Sequence, residues 1–187
     1  MRLFFLCFFT IIICSARGQQ VPGYIIIPGR NDTLKGIVDI KAIGMLYQKV
    51  NFIYSGKDYK IRPGEISGYG FIKNNKSYNF ESTFSKWPKL LIQKKRILFL
   101  QVLERGTIGC YKYDGDLDDI INPYSFFYKD DIVEYIKMDD IKFLQQMRNL
   151  FADDELLLEK LGKPGYKKED LIKMIHEYNI RKTYKRI

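Results

Sequence analysis

The stretch YGFIKNNKSYNF at residues 69–80 has the pattern of a β-hairpin. Tyr69–Lys73 and Ser77–Phe80 are short runs that contain aromatic residues, and Asn74-Asn75 lies between them. Asparagine tolerates the left-handed backbone conformation that tight turns require. Two short runs on either side of such a turn predict two adjacent antiparallel strands.

The same pattern of short runs and tight turns extends over residues 19–137. In Thr33–Ile40, the residues Leu34, Val38 and Ile40 share one face, as in a half-buried strand. Ser55-Gly56-Lys57 predicts a three-residue hairpin loop. Further strands are predicted at Tyr24–Ile27, Lys49–Tyr54, Asp58–Arg62, Ile97–Glu104, Thr107–Tyr113, Ser125–Lys129 and Ile132–Ile136. Such a series predicts an antiparallel meander, either closed into a barrel or packed under helices.

From Asp139 onward the apolar residues recur at the spacing of a helix instead of a strand. The first helical segment has this spacing at Ile141, Phe143, Leu144, Met147, Leu150 and Phe151. A second helix is predicted over Asp154–Leu161, with Asp153 as its N-cap and with Gly162 and Pro164 at its end. A third is predicted over Glu169–Thr183, where Leu171 and Ile175 lie on the apolar stripe.

These patterns together predict an α+β fold. Residues 19–137 are expected to form an antiparallel β-sheet or small open β-barrel, followed by a C-terminal three-helix segment at residues 138–187. Since about fifty residues of helix cannot bury their apolar stripes alone, the helices are expected to pack on the sheet within the same domain.

Residues 1–18 have the pattern of a secretory signal peptide that is removed. A positive charge at Arg2 precedes Leu3–Cys14, an apolar run in which only Thr10 is polar, and small residues follow at Ala16 and Gly18. The pattern predicts export to the periplasm, to the outer membrane or out of the cell.

The position of the cut is left with two alternatives. Cleavage after Gly18 makes Gln19 the first mature residue, and cleavage after Ala16 is the other choice. A retained membrane anchor is disfavoured, because a membrane-spanning helix needs about 20 apolar residues. Lipidation of Cys14 is disfavoured as well, because Ile13 occupies the place of the small residue that such a signal requires.

Five segments resemble a known group of exported proteins. The segments are GYII at 23–26, DTLKGI at 32–37, PGEISGY at 63–69, FLQVLERG at 99–106, and the closing Leu171-Ile172 with Glu177-Tyr178-Asn179. They are similar to landmarks of uncharacterised exported proteins that are common in Bacteroidetes-type Gram-negative bacteria. The resemblance implies export and a β-rich fold with C-terminal helices. It implies no catalytic residue.

Composition and charge favour an acidic partner. The chain is 46% hydrophobic and 28% charged, which is ordinary for a globular domain and excludes collagen-like and wholly disordered chains. Its formal net charge is +9. Residues 19–113 carry 16 Lys and Arg against six Asp and Glu, so the predicted sheet is the basic part. A basic surface attracts anionic molecules.

One segment concentrates this charge next to the only tryptophan. The candidate binding residues are Lys86, Trp87, Lys89, Lys94, Lys95 and Arg96. Mixed cations and aromatic rings suit an anionic polysaccharide, a membrane surface or an envelope protein. Because export is predicted, nucleic acid is not expected as a partner. The alternative interpretation is a charged loop that leads into the strand at Ile97.

Metal and cofactor sites find little support. Asp114, Asp116 and Asp118 have the spacing of the first ligands of a calcium loop. However, Asp119 stands where such a loop needs glycine, and Ser125 stands where it needs glutamate. A solvated acidic turn is therefore preferred, with calcium as the alternative. One histidine and one mature cysteine exclude a structural zinc site of the usual kind, and no cofactor motif occurs.

The sequence offers no recognisable catalytic set. His176 is interpreted as a histidine at the border of the apolar stripe, and Cys110 as a small buried apolar residue. The leading hypothesis is a non-enzymatic exported binding module with a basic β face. The alternative is a secreted, glycosidase-like hydrolase that uses paired carboxylates. Glu65, Glu81 and Glu104 are the glutamates of the basic β region and the first candidates for that role.

Overall fold

Ten strands lie side by side in one antiparallel sheet. The computed structural model describes residues 19–30, 32–40, 46–85, 96–113, 124–129, 132–136 and 139–184. The strands are β1 (Gln19–Ile26), β2 (Thr33–Ile40), β3 (Val50–Tyr54), β4 (Lys57–Ile61), β5 (Gly68–Lys73), β6 (Lys76–Ser85), β7 (Arg96–Glu104), β8 (Gly109–Tyr113), β9 (Tyr124–Lys129) and β10 (Ile132–Tyr135).

The order of the strands in the sheet is close to their order in the chain. Its order is β10-β9-β8-β7-β6-β5-β1-β2-β3-β4, so that β1 is inserted between β5 and β2 and the other neighbours are consecutive. Every pairing between these strands is antiparallel. Within the described residues no pairing joins β4 to β10, so the sheet is open. The predicted α+β fold is confirmed, in the form of a sheet followed by C-terminal helices.

Tight turns set the strand register. Asn74 and Asn75 have φ angles of 51° and 59°, as expected for a two-residue hairpin loop. The loop between β3 and β4 also has two residues, Ser55 and Gly56, because Tyr54 pairs with Lys57. The predicted three-residue loop is therefore wrong by one residue, since Lys57 already belongs to the strand.

A first apolar cluster lies on the sheet. Leu34, Val38 and Ile40 face it, as their alternation predicts. Its centre is aromatic: the rings of Tyr69 and Phe80 stack 4.6 Å apart, and Phe99 meets Tyr69 edge to face at 4.9 Å. These rings come from β5, β6 and β7, so the aromatic centre joins the middle of the sheet.

The three helices lie near their predicted positions. They are α1 (Asp140–Leu150), α2 (Glu155–Lys160) and α3 (Leu171–Tyr184), and a short 3₁₀ helix at Lys168–Asp170 precedes α3. Asp139 caps α1 by accepting a hydrogen bond from the Lys142 backbone N–H. The N-cap of α2 is Asp154, not the predicted Asp153. Asp153 instead accepts a hydrogen bond from the Tyr178 hydroxyl.

A second apolar cluster joins the helices to β8. Ile108 and Cys110 pack with buried residues of all three helices, which are Phe143, Met147, Leu150, Leu157, Leu171, Met174, Ile175 and Tyr178. Asn179 of α3 adds a polar attachment. Its side chain accepts from the Ile108 N–H at 2.9 Å and donates to the Ile108 carbonyl at 2.8 Å. A Cβ atom at Gly106 would collide with this side chain, so glycine is needed there.

Candidate functional site

Most of the site residues predicted from the sequence lie outside the described part of the chain. This applies to Lys86, Trp87, Lys89, Lys94 and Lys95, and to the calcium alternative at Asp114, Asp116 and Asp118. Arg96 is the first residue of β7 and pairs with Ser85 of β6. The binding prediction for this segment therefore stays a prediction.

The three candidate glutamates have separate partners. Glu65 accepts a hydrogen bond from the Arg62 backbone N–H at 2.8 Å, which stabilises a local turn. Glu81 contacts Arg105 at 2.7 Å and accepts a hydrogen bond from the Tyr111 hydroxyl. Glu104 lies 2.9 Å from Nδ1 of His176, which places the chain's one histidine in a contact between β7 and α3.

The described cysteine is a packing residue. Cys110 is fully buried in the second apolar cluster. Burial, together with the nearby Glu104 carboxylate, raises the pKa of its thiol from 9.0 to about 12. The thiol therefore stays protonated at neutral pH, and a thiolate nucleophile is not available there. The interpretation of Cys110 as a small buried apolar residue is confirmed.

A cleft of about 330 Å³ opens on the face of the sheet that carries the first apolar cluster. We call it the β cleft. Its apolar lining consists of Ile40, Leu46, Tyr47, Phe71, Tyr78, Phe80 and Leu103. Its polar lining consists of Lys73, Lys76, Gln101 and Lys112. In the described part of its lining, three cations and one amide thus surround a largely aromatic floor, which combines apolar contact with positive charge.

The floor of the β cleft is a set of stacked rings. Phe71 and Tyr78 lie opposite each other on β5 and β6, with centroids 5.1 Å apart and planes inclined by 14°. Phe80 continues the set at 6.0 Å from Phe71. Tyr47 meets Phe80 edge to face at 5.6 Å and forms a wall. The rings hold one another in place, so the floor exists without a ligand.

Strand register brings the polar residues to the same face. Directly opposed residues of an antiparallel pair point to the same side of the sheet, and every second residue follows them. Lys73 is opposite Lys76, Phe80 is opposite Gln101, and Gln101 is opposite Lys112. The four polar residues therefore share the face of Phe71 and Tyr78, with Lys73 and Lys76 on one side of that ring pair and Gln101 and Lys112 on the other.

The pairing of Lys73 with Lys76 is the unusual electrostatic feature. Like charges directly opposite on neighbouring strands destabilise a sheet. In the described ranges no Asp or Glu lies within ion-pair distance of either lysine. The Lys76 ammonium lies 5.5 Å from the Tyr78 ring centre, and Lys73 is half-buried. A bound anion would offset this repulsion, whereas no acidic side chain of the described residues does so.

Sequence reasoning missed these two lysines although the sequence contains the signal. In KNNK at residues 73–76, a two-residue turn at Asn74-Asn75 places the flanking residues directly opposite each other. A predicted hairpin with that loop therefore predicts a lysine pair. By contrast, Tyr47 lies between β2 and β3, and Gln101 lies in β7, which a long stretch of chain separates from the hairpin turn. No local pattern in the sequence identifies either residue as part of the β cleft.

A second cleft of about 500 Å³ lies among the helices. Its lining includes Phe143, Leu144 and Gly162, with charged residues of both signs around them. Lys168 contacts Asp140 across it at 2.9 Å. Because its charges neutralise each other, this cleft has a weaker preference for a charged ligand than the β cleft.

Comparisons with protein families, curated proteins and solved structures gave no match to this chain. Among the residues that the structure describes, no group of three or more His, Cys, Asp or Glu side chains could hold a metal ion. In the same part of the chain, no helix is long and apolar enough to cross a membrane.

Proposed function

We propose that this protein is an exported, non-enzymatic binding protein of the cell envelope that holds an anionic partner on its basic β face. The observation that carries the proposal is the opposed pair Lys73 and Lys76 beside the aromatic floor of the β cleft. Repulsion between two like charges at the mouth of a cleft lowers the stability of the fold. An anion that binds between the two cations offsets this repulsion.

The chemistry of the described residues supports binding over catalysis. The three candidate glutamates have partners of their own, and the buried thiol of Cys110 is kept protonated. Lys73 and Lys76, in contrast, lie beside an apolar surface, and neither has an ion-pair partner among the described residues. Positive groups at an open cleft attract and orient an anion.

The binding test uses salt and charge reversal. The mature protein should bind an anionic polysaccharide (heparin) or vesicles that contain phosphatidylglycerol, and binding should fall steeply as salt increases, because exposed charges are screened over about 8 Å at physiological ionic strength. The double variant Lys73→Glu with Lys76→Glu should lose several-fold in affinity. If the protein binds neither heparin nor the anionic vesicles at low salt, the proposal is contradicted.

A matched control exists in the neighbouring hairpin. Lys57 and Lys60 are exposed residues of β4, outside the β cleft. Reversing both changes the net charge by the same amount as reversing Lys73 and Lys76. Equal losses in the two double variants would show that only net charge matters, and would remove the β cleft from the proposal.

The segment at residues 86–96 is tested separately. It carries Lys86, Lys89, Lys94, Lys95 and Arg96 around Trp87. If it belongs to the binding face, Lys94→Glu with Lys95→Glu should weaken heparin binding several-fold with little change in melting temperature. Trp87→Ala examines the aromatic contribution. Unchanged binding in both variants would restrict the proposed face to the β cleft.

Export is tested independently of binding. N-terminal sequencing of the protein recovered from outside the cytoplasm should begin at or near Gln19, as the apolar run Leu3–Cys14 predicts. A charge in that run, as in Ile12→Arg, should stop export. A protein recovered only from the cytoplasm, or one that retains Leu3–Cys14, would contradict this part of the proposal.

A further inference from the structure

We infer that the β cleft binds a small single-chain amphiphile: the apolar chain lies on the aromatic floor, and a compact anionic head group sits between Lys73 and Lys76. The inference rests on the proposed anion binding and narrows it to one ligand class. An extended polysaccharide needs only a charged surface, whereas the β cleft combines charge with an apolar surface in a recess.

The apolar part of the ligand follows from the floor. Phe71, Tyr78 and Phe80 form a continuous stack, and Tyr47 closes one side. Tyr78 is half-buried, whereas Phe71 and Phe80 are already buried, so the ligand chain covers mainly Tyr78. Burial of the hydrocarbon chain's own apolar surface is the main favourable contribution to its binding. The volume of about 330 Å³ lies at the small end of the range of about 300–1,000 Å³ that is typical of small-molecule sites, which favours a short chain.

The head group follows from the position of the two lysines. Lys73 and Lys76 are the last residue of β5 and the first of β6, so both ammonium groups stand at the hairpin end of the floor. Opposed residues have Cβ atoms about 4.5–5.5 Å apart, so two flexible lysine side chains can reach one carboxylate or phosphate together. Either head group has several acceptor oxygens for such shared donors.

The other polar residues of the lining lie away from the lysine pair. Gln101 and Lys112 are an opposed pair in the row of Phe80, and the row of Phe71 and Tyr78 separates them from Lys73 and Lys76. The described lining contains no carboxylate that would repel an anion. The lysine pair thus stands at one end of the aromatic rings, which matches the head group and chain of an amphiphile.

The experiment compares four probes on the mature full-length chain. Decanoate and decyl phosphate carry both the chain and an anionic head group, decanol carries the chain alone, and acetate carries the head group alone. Isothermal titration should show 1:1 binding of decanoate or decyl phosphate, with decanol and acetate at least about tenfold weaker. The ratio of decanoate to decyl phosphate affinity identifies the preferred head group.

Location is tested by amide NMR and by matched variants. Decanoate should shift the backbone amides of Lys73, Lys76 and Gln101. The double variant Lys73→Glu with Lys76→Glu should weaken decanoate binding at least about tenfold, since two attractive contacts become repulsive. The control with Lys57→Glu and Lys60→Glu should change it less than about twofold. A circular dichroism spectrum and melting curve of each variant verify folding.

The floor is tested by a pair of tyrosines. Tyr78→Ala removes a ring from the floor, whereas Tyr59→Ala removes an exposed ring from β4. Only Tyr78→Ala should weaken decanoate binding. If it also unfolds the chain, Tyr78→Leu retains an apolar contact without the ring and should bind decanoate with an intermediate affinity.

The outcomes separate the inference from the proposed function. Binding of heparin or anionic vesicles without binding of decanoate or decyl phosphate would overturn the amphiphile inference and leave the anion-binding function standing. Binding of decanol as tight as that of decanoate would overturn the role of the lysine pair. Absence of binding to any anionic probe would overturn both. Decanoate binding that survives reversal of Lys73 and Lys76 would place the site elsewhere.

Discussion

The helical end of the molecule and the β cleft arrange their charges in opposite ways. In the helices, Glu177 contacts Lys160 at 2.6 Å and Arg181 at 2.5 Å, and Arg181 also contacts Asp154 at 2.8 Å. In the β cleft, Lys73 faces Lys76. Charges that neutralise each other within the chain stabilise the fold, whereas like charges that face each other are available to a ligand.

The charges of the helical region contribute to stability, whereas those of the β cleft are proposed to contribute to binding. The helical network links α2 to α3, so its charges act on the packing of the C-terminal segment. Alongside them lies the second apolar cluster, which attaches α3 to β8. Substitutions in the helical region are therefore expected to change stability, and substitutions of the lysine pair are expected to change binding.

The largest expected effect is at the apolar attachment of α3. Ile175 is fully buried and Leu171 is nearly so. Truncation of either to alanine should lower the free energy of unfolding by about 2–4 kcal/mol, the usual cost of removing a large buried side chain. Urea denaturation measures this loss.

The control for this prediction lies on the same helix. Ile172 remains 45% exposed, so Ile172→Ala should cost clearly less than either buried truncation. Equal and small effects at all three positions would show that α3 does not contribute to the stability of the sheet, and would break the division between the two regions.

The second prediction concerns the polar attachment of α3. Asn179→Ala leaves both the N–H and the carbonyl of Ile108 without their side-chain partner. Since unsatisfied buried backbone groups are costly, unfolding free energy should fall by about 2 kcal/mol. Asn149→Ala, at an exposed position of α1, is the control. Hydrogen exchange at the Ile108 amide should accelerate only in Asn179→Ala.

The third prediction is a pH dependence that arises from Glu177. Partial burial alone would raise its pKa, but hydrogen bonds from Lys160, Arg181 and Tyr166 outweigh burial and lower the pKa from 4.5 to about 2. Because the folded pKa lies below the unfolded one, the contribution of Glu177 is complete above pH 4.5. It is lost as the pH falls from 4.5 toward 2.

The size of this contribution is about 1–2 kcal/mol after allowance for solvent screening of a partly exposed group. The contribution of Glu177 should leave urea midpoints nearly equal at pH 7 and 4.5 and lower the midpoint at pH 3. Glu177→Gln should lower stability at pH 7 and flatten the decline between pH 4.5 and 3. Glu159→Gln, at an exposed position of α2, should leave the decline unchanged. A decline that persists in Glu177→Gln would assign it to other groups.

The parts of the fold that could be predicted depend on short-range patterns. Alternation and turn residues are local, so the strands and the hairpin at Asn74-Asn75 were predictable from the sequence. The predicted N-cap of α2 was wrong by one residue, because Asp153 and Asp154 are both suitable N-cap residues. The choice is settled by a distant partner, since the Tyr178 hydroxyl and Lys182 engage Asp153.

The candidate site was less predictable for the same reason. Asn179 contacts Ile108 across 71 positions of the chain, and His176 contacts Glu104 across 72. The periodicity of apolar residues in the sequence does not indicate contacts between residues so far apart. The β cleft also collects Tyr47 and Gln101 from separate parts of the chain. The lysine pair and the adjacent pair of Phe71 and Tyr78 did have a local signal, because the length of the turn determines which residues face each other.

The smallest expected effect lies at this lysine pair and has the opposite sign. Lys73→Glu converts a repulsive cross-strand pair with Lys76 into an attractive one, so the free energy of unfolding should rise by about 0.2–1 kcal/mol. Decanoate binding should fall in the same variant, because one of the two head-group contacts becomes repulsive. Lys57→Glu, opposite Tyr54, has no like-charged cross-strand partner and should leave both quantities nearly unchanged. Urea denaturation at low salt measures the gain, which should shrink at high salt as the charges are screened. If Lys73→Glu instead lowers stability at every salt concentration, packing of the lysine stem in the β cleft outweighs the repulsion, and the argument that an anion is needed to offset that repulsion fails.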